Sequence, residues 1–285
     1  MAIDPQKLLA LSVPDIAHRY AEKDAILYAL GIGLGQEPLD ERQLRFVYEQ
    51  DLQVLPTFAV VLAASPFFLR DQETGIDFQK IVHGEQGLVL HRTLRPRGHV
   101  VGRNRILDVI DKGAGTGALL YIERVLADAD SGETIATLTQ TIVCRGDGGF
   151  GGTQRATPAP HPLPGRVPDF VCDLASRPET ALIYRLSGDL NPLHADPQFA
   201  RGAGFARPIL HGLATFGICA HAILRMVCDY APERLRAIAG RFSAPVFPGE
   251  TIRTEIWRDG GVVSFRARVP ERDIVALNNG RAEVV

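Results

Sequence analysis

The two halves of this chain echo each other, and that repeat constrains the fold more than any other feature. DAILYALGIG at residues 24–33 returns as TALIYRLSGD at residues 180–189, setting Tyr28 against Tyr184 and Leu30 against Leu186. LPTFAVVLAA at residues 55–64 then resembles GLATFGICAHA at residues 212–222, with Thr57-Phe58 against Thr215-Phe216. Further on, Arg97-Gly98 and Pro248-Gly249 each precede an alternating apolar run. Three matches in one order point to two copies of a single unit. Between them lies GDGGFGGTQRATPAPHPLPGRVP, residues 146–168. Its Gly clusters and repeated Pro carry no apolar period, so it reads as a linker. The expected division is an N-terminal unit at 1–148, a linker at 149–168 and a C-terminal unit at 169–285.

Each unit has one plan: a short helical lead-in, one apolar helix, then strands. The second-half helix should run over about residues 212–230, apolar on nearly every face and therefore buried. Strands are expected at 87–94, 100–112, 117–128 and 133–145 in the first half. In the second they are expected at 235–242, 251–257, 262–269 and 281–285. Hairpin turns fit at residues 112–115, 130–132 and 259–261. Long antiparallel strands around one buried helix describe an α+β hot dog. Two copies make a double hot dog, two antiparallel sheets each wrapped around a central helix and packed side by side as a pseudo-dimer. The first-half helix starts near Pro56 and meets Pro66, which costs a helix interior ~3 kcal/mol, so it should stop near Ser65.

Composition narrows the function classes. The chain has 285 residues, 46% hydrophobic and 22% charged, with net charge −2. That balance argues against broad binding to nucleic acid or membrane. No apolar run reaches spanning length. Met1-Ala2-Ile3-Asp4-Pro5 lacks the layout of a signal peptide, and the last residues are not an SKL-type address, so the expected location is the cytoplasm. The four cysteines are scattered without CxxC spacing, which fits a reducing compartment. The eight His are equally scattered, so no metal site is expected.

Chemistry concentrates in YRLSGDLNPLHADPQFARGAGFARPILHG, residues 184–212. Asp189 and His194 sit five residues apart in a stretch too rich in Gly, Asn and Pro for regular structure, so a loop can aim both at one place. Asp196-Pro197 reads as a helix start. His211-Gly212 stands just ahead of the buried helix, where backbone N–H groups are unpaired and the helix dipole favours negative charge. This set suits addition of water across a polarised double bond. Two groups hold the water, one taking its proton and one giving a proton to the neighbouring carbon. A backbone N–H at Gly212 could stabilise a thioester oxygen as it gains enolate character. No cofactor is needed. Taken singly, these residues have plain structural readings too: an Asp and a His in a turn are commonly solvated or capping, His211 could bond backbone, and Asn191-Pro192 is a turn.

GDLNPLHADPQFA…GFARPILHGL closely resembles the signature of the R-specific enoyl-CoA hydratases, the MaoC-like or hydratase 2 family. HGEQ at His83-Gly84-Glu85-Gln86 and the Asp111-Lys112-Gly113 turn extend the likeness to the double hot dog members. The resemblance implies an Asp189/His194 dyad supported by Asn191, with Gly212 at the thioester oxygen. It also implies acyl-CoA contacts at His83, Gly84, Lys112, Leu190, Pro192, Leu193 and Phe242. Lys112 has a reason of its own, being one of only four lysines and in a tight turn where CoA phosphates could be met. The expected partner is an acyl-CoA substrate, with a homodimer conceivable. Only the second half should be catalytic, because Gly31-Ile32-Gly33 and Val54-Leu55 stand where the acid and the Gly helix start would be. The space beyond a shortened first-half helix, near Phe67, Phe68 and Leu69, would make an acyl tunnel. Three other readings stay open: a dehydratase for carrier-protein or bulky steroid side-chain thioesters, a non-catalytic acyl-CoA-binding hot dog, and a hot dog thioesterase. The last is disfavoured by the lack of Asp or Glu between Gly212 and Cys228.

Overall fold

A computed structural model describes residues 3–64, 74–151 and 156–285. The first half runs α1 (Pro5–Leu9), β1 (Ile16–Tyr20), α2 (Glu22–Gly31), α3 (Glu41–Leu44), a 3-10 helix (Pro56–Val60), β2 (Ile81–Leu90), β3 (Gly98–Asp111), β4 (Ala118–Asp128) and β5 (Thr134–Cys144). The second half runs β6 (Phe170–Ala175), α4 (Thr180–Tyr184), α5 (Pro197–Gly202), α6 (Gly212–Met226), β7 (Leu235–Phe242), β8 (Thr251–Asp259), β9 (Val262–Val269) and β10 (Ile274–Val284). The strands lie in the order β1-β3-β4-β5-β2-β7-β10-β9-β8-β6. Counted inward from either edge, each half places its first, third, fourth, fifth and second strand. The echo in the sequence is thus an echo in topology. It is also a contact, because Tyr28 and Tyr184 pack with ring centroids 5.7 Å apart.

The two expected sheets join edge to edge. β2 and β7 pair antiparallel at the centre, with Glu85 opposite Arg241 and Gly87 opposite Ala239. Glu85 and Arg241 also form an ion pair at 2.8 Å. Each half-sheet thereby protects the other's inner edge, which would otherwise expose unpaired backbone. The main apolar core crosses this seam and includes Tyr28, Phe58 and Leu88 from the first half and Phe216, Ile238 and Phe265 from the second.

The two central helices differ more than the sequence implies. In α6, Ala214 through Leu224 are all buried, as expected of a helix apolar on every side. It ends at Met226 rather than near Tyr230, since Asp229 and Tyr230 take left-handed φ values of 51° and 56°. Its first-half counterpart is not a ten-residue helix but the 3-10 turn Pro56–Val60. Ala63 at φ 47° turns the chain away, and the carbonyls of Ala59 and Val60 are taken by Arg124 from β4. Pro66, Phe67, Phe68 and Leu69 lie outside the described residues.

The Gly- and Pro-rich connection is tied down at both ends. Gly149 and Gly151 donate their N–H groups to Asp111, at 2.7 and 2.8 Å. His161 reaches Ser264 Oγ at 2.8 Å, and its carbonyl accepts from Asn279 at 2.9 Å.

Candidate active site

Short-range hydrogen bonds shape the catalytic-loop candidate. After α4, Gly188 takes φ +120°, a conformation L side chains rarely adopt, and turns the chain toward Asp189. Asp189 Oδ1 accepts the Asn191 N–H at 3.2 Å, and Asn191 Oδ1 accepts the Leu193 N–H at 3.0 Å. Asn191 thus caps a single 3-10 turn, Pro192–His194, which ends on the buried His194. His194 Nδ1 donates to the Ile209 carbonyl at 2.9 Å. That bond sets the tautomer and leaves Nε2 with the lone pair. Ile209 in turn donates its own N–H to the Leu193 carbonyl, so the loop and the approach to α6 hold each other.

His211 completes the group in a way its position in the chain does not disclose. Its ring stacks on His194, centroids 3.7 Å apart and planes 26° apart, and the Tyr184 ring lies 5.0 Å away. His211 Nε2 donates to the Asp189 carbonyl at 3.2 Å, which fixes the backbone of the acid. Burial pushes His211 down to about 3, with the neighbouring His194 adding to the effect. Burial also lowers His194, partly offset by the Ile209 carbonyl and the Asp189 charge. Both imidazoles are therefore neutral near pH 7.

Ligand atoms of Asp189, His194 and His211 all lie within 4.8 Å of one another, so the three could share a cation, contrary to what the scattered His positions imply. The stacking disfavours a shared cation. Imidazole lone pairs lie in the ring plane, so stacked rings aim theirs side by side rather than at one point, and Nε2 of His211 and Nδ1 of His194 are engaged with carbonyls.

Gly212 opens α6, and as its first residue has no carbonyl four positions back within the helix for its N–H. A Cβ there would lie 3.2 Å from Phe242, so glycine is what lets the ring lie against the helix start. Phe242 meets His83 edge-on at 5.0 Å. This contact brings the first-half HGEQ stretch to the second-half site. His83 Nε2 donates to the Glu85 carbonyl at 2.9 Å. Burial lowers the His83 ring to about 4, opposed by that carbonyl and by the charge of Asp189 across the seam.

The remaining sequence candidates divide. Leu190 and Pro192 are exposed beside the loop, and Leu193 is partly buried. Gly84 lies in the register break between His83 and Glu85, where a Cβ would come 2.8 Å from Val143 and 3.1 Å from the Thr141 carbonyl. Its glycine thus has a packing reason in β2. Lys112 is exposed at the β3–β4 turn. Ile81, Cys144, Ala118 and Asp111 form a row across four strands, which puts Lys112 at the β2 end of the sheet but three spacings away, ~14 Å.

Comparison with known proteins shows the family and the fold. Residues 18–146 match the MFE-2 hydratase 2 N-terminal domain, and residues 160–279 match the MaoC like domain. The chain is 40% identical over 296 residues to 3-hydroxyacyl-thioester dehydratase Y of Mycobacterium tuberculosis, covering 100% of this chain and 99% of the other. This chain belongs to the MaoC-like, hydratase 2 family of hydro-lyases. Another member, the peroxisomal enoyl-CoA hydratase 2 of Arabidopsis thaliana, is 40% identical over 291 residues, covering 95% of this chain and 92% of that one. The crystal structure of a MaoC-like dehydratase from Phytophthora capsici superposes with a TM-score of 0.87 at 33% identity, over 98% of both chains. The fold of this family member is the expected double hot dog. Among its described residues no helix is long and apolar enough to cross a membrane.

Proposed function

We propose that the protein hydrates trans-2-enoyl-CoA reversibly to (3R)-3-hydroxyacyl-CoA. The observation that carries this reading is the meeting of Asp189, the His194 imidazole and the N-terminus of α6 in one place, with His83 and Phe242 closing it from the seam. Water is held between the Asp189 carboxylate and His194 Nε2. One of them takes a proton from the water as oxygen bonds to C3, and that same group, now protonated, returns the proton to C2, so that both end as they began. The π electrons move toward the thioester carbonyl during the addition, and the Gly212 N–H meets the oxygen that gains charge. Asn191 and His211 keep the two catalytic groups in place, through the loop cap and the Asp189 carbonyl.

The halves divide the work. The second supplies the dyad, and the first supplies walls for the thioester and acyl chain through His83 and Gly84. Lys112 would meet a CoA phosphate at the far end of an extended pantetheine arm, which easily spans ~14 Å. The relative named as a 3-hydroxyacyl-thioester dehydratase supports the same site working in the direction of water loss. Acyl-CoA rather than carrier-protein thioester is the favoured substrate, a reading supported by the relative named enoyl-CoA hydratase 2.

A hydration panel of crotonyl-, octenoyl- and dodecenoyl-CoA with chiral analysis of the product tests the reading. The (3R) alcohol is expected, with kcat/KM rising beyond four carbons as buried methylenes each contribute roughly 0.8 kcal/mol. No turnover of any of the three, or the (3S) product, would refute it.

A further inference from the structure

The proposed mechanism makes no use of the buried charge of Arg124. Arg124, on β4, is only 5% exposed and faces the interior of the first half. One guanidinium nitrogen donates to the carbonyls of Val60 and Ala59, at 2.6 and 3.4 Å. Among the described residues its Nε is buried with no hydrogen-bond partner. Directly opposite on β3 stands Asn104, whose Nδ2 is likewise buried and unpartnered. Residues directly opposite on neighbouring strands project from the same face, so two donors without acceptors lie side by side. Among the described residues no carboxylate pairs with Arg124. Burial brings its guanidinium down to about 10, so it stays charged at neutral pH. Its two carbonyl partners are uncharged, and a buried cation in such a setting favours an anion as its missing partner.

The position of Arg124 fits an acyl chain. α6 fills the second half-sheet with fifteen residues, whereas the first half-sheet is met by a 3-10 turn of five. Among the described residues the first-half face thus has less helix against it than the second. There the apolar core is interrupted. Ile122 belongs to a small cluster with Ile106 and Leu120, Leu126 belongs to the main core, and Arg124 stands between them on β4. From His83 to Arg124 the route crosses two strand spacings, because Arg124 pairs with Leu138 and Leu138 with Leu88, and runs five residues along β2. That is ~18 Å between Cα atoms. His83 and Arg124 stand on the same face of the sheet, so an acyl chain lying along that face would run from one to the other.

We propose that Arg124, flanked by Asn104, is a specificity residue that receives a carboxylate at the far end of the acyl chain. The preferred substrate class is then the ω-carboxy 2-enoyl thioester. This rests on the hydratase reading of the dyad, and the test separates the two.

Affinity of the intact protein for decanoyl-CoA and for its ω-carboxy counterpart, measured by calorimetry, needs no turnover. The ω-carboxy form should bind at least tenfold tighter. Arg124→Met should erase that preference, and Arg124→Lys should retain part of it. In parallel, kcat/KM for trans-2-decenoyl-CoA and its ω-carboxy form should show the same ratio. Equal or weaker binding of the ω-carboxy form by the wild type, or a preference that survives Arg124→Met, would overturn the proposal. If Arg124→Met does not fold, Asn104→Leu and the wild-type ratio decide it. An ω-carboxy binding preference without turnover of any enoyl-CoA would uphold the Arg124 site and refute the hydratase reading.

Discussion

At the residue scale, proximity in the chain decided what could be read. Asp189 and His194 lie five residues apart, so one loop can present both. His211 follows seventeen positions after His194 on another segment, and only the folded chain stacks it there at 3.7 Å. His83 belongs to the other half, and its link to the site runs through Phe242. No local pattern encodes such contacts, and resemblance alone pointed to His83. Burial of these rings has a consequence for stability. His83, His211 and His221 are lowered to about 4, 3 and 4, chiefly by burial. The unfolded chain binds protons at these sites below its ordinary value near 6.5, whereas the folded chain stays neutral. Stability is therefore full above about pH 6.5 and falls as pH drops toward 4, by roughly 1.4 kcal/mol per pH unit for each fully buried ring. Urea midpoints taken at pH 7.5, 6.5 and 5.5 should fall slightly across the first pair and steeply in the second. A midpoint unchanged at pH 5.5 would contradict this.

At the element scale, long alternating runs were legible and short edges were not. β7 and β9 match the sequence reading end to end, and β3, β4 and β5 match within two residues. β1 and β6 were missed. They are edge strands of five and six residues, paired on one side only and carrying His18, Arg19 and Asp173 in their patterns. β10 begins at Ile274, seven residues before the expected start, because Asn278 and Asn279 interrupt its apolar pattern at a register shift. The first-half helix was read from its apolar content, but its length is set by Ala63 and by the reach of Arg124 from a distant strand. Gly84 illustrates how an element can explain a motif residue. Gly84→Ala should lower stability by about 1–3 kcal/mol through the clash with Val143 and Thr141. Denaturant unfolding measures this directly, and a variant as stable as wild type would show that β2 relaxes freely at the bulge.

At the scale of the molecule, the repeated unit was legible because both copies keep the same order of helix and strands. What the sequence could not convey is that the copies share one sheet. The β2–β7 pairing, the Glu85–Arg241 ion pair and a core that crosses the seam couple them. Calorimetry should therefore give a single unfolding transition whose van't Hoff and calorimetric enthalpies agree. Two separated transitions would mean that the halves fold independently. The coupling also serves the proposed chemistry, since the site draws its dyad from one half and His83 from the other.

In the proposed mechanism Asp189 and His194 act together on water. Its most direct test is the rate of trans-2-enoyl-CoA hydration by Asp189→Asn and His194→Ala, alongside wild type, with far-ultraviolet circular dichroism to verify folding. Each substitution should lower kcat by about 100-fold or more, the scale of a positioned acid–base group, while both proteins remain folded. Folded variants that hydrate the substrate at close to the wild-type rate would contradict it.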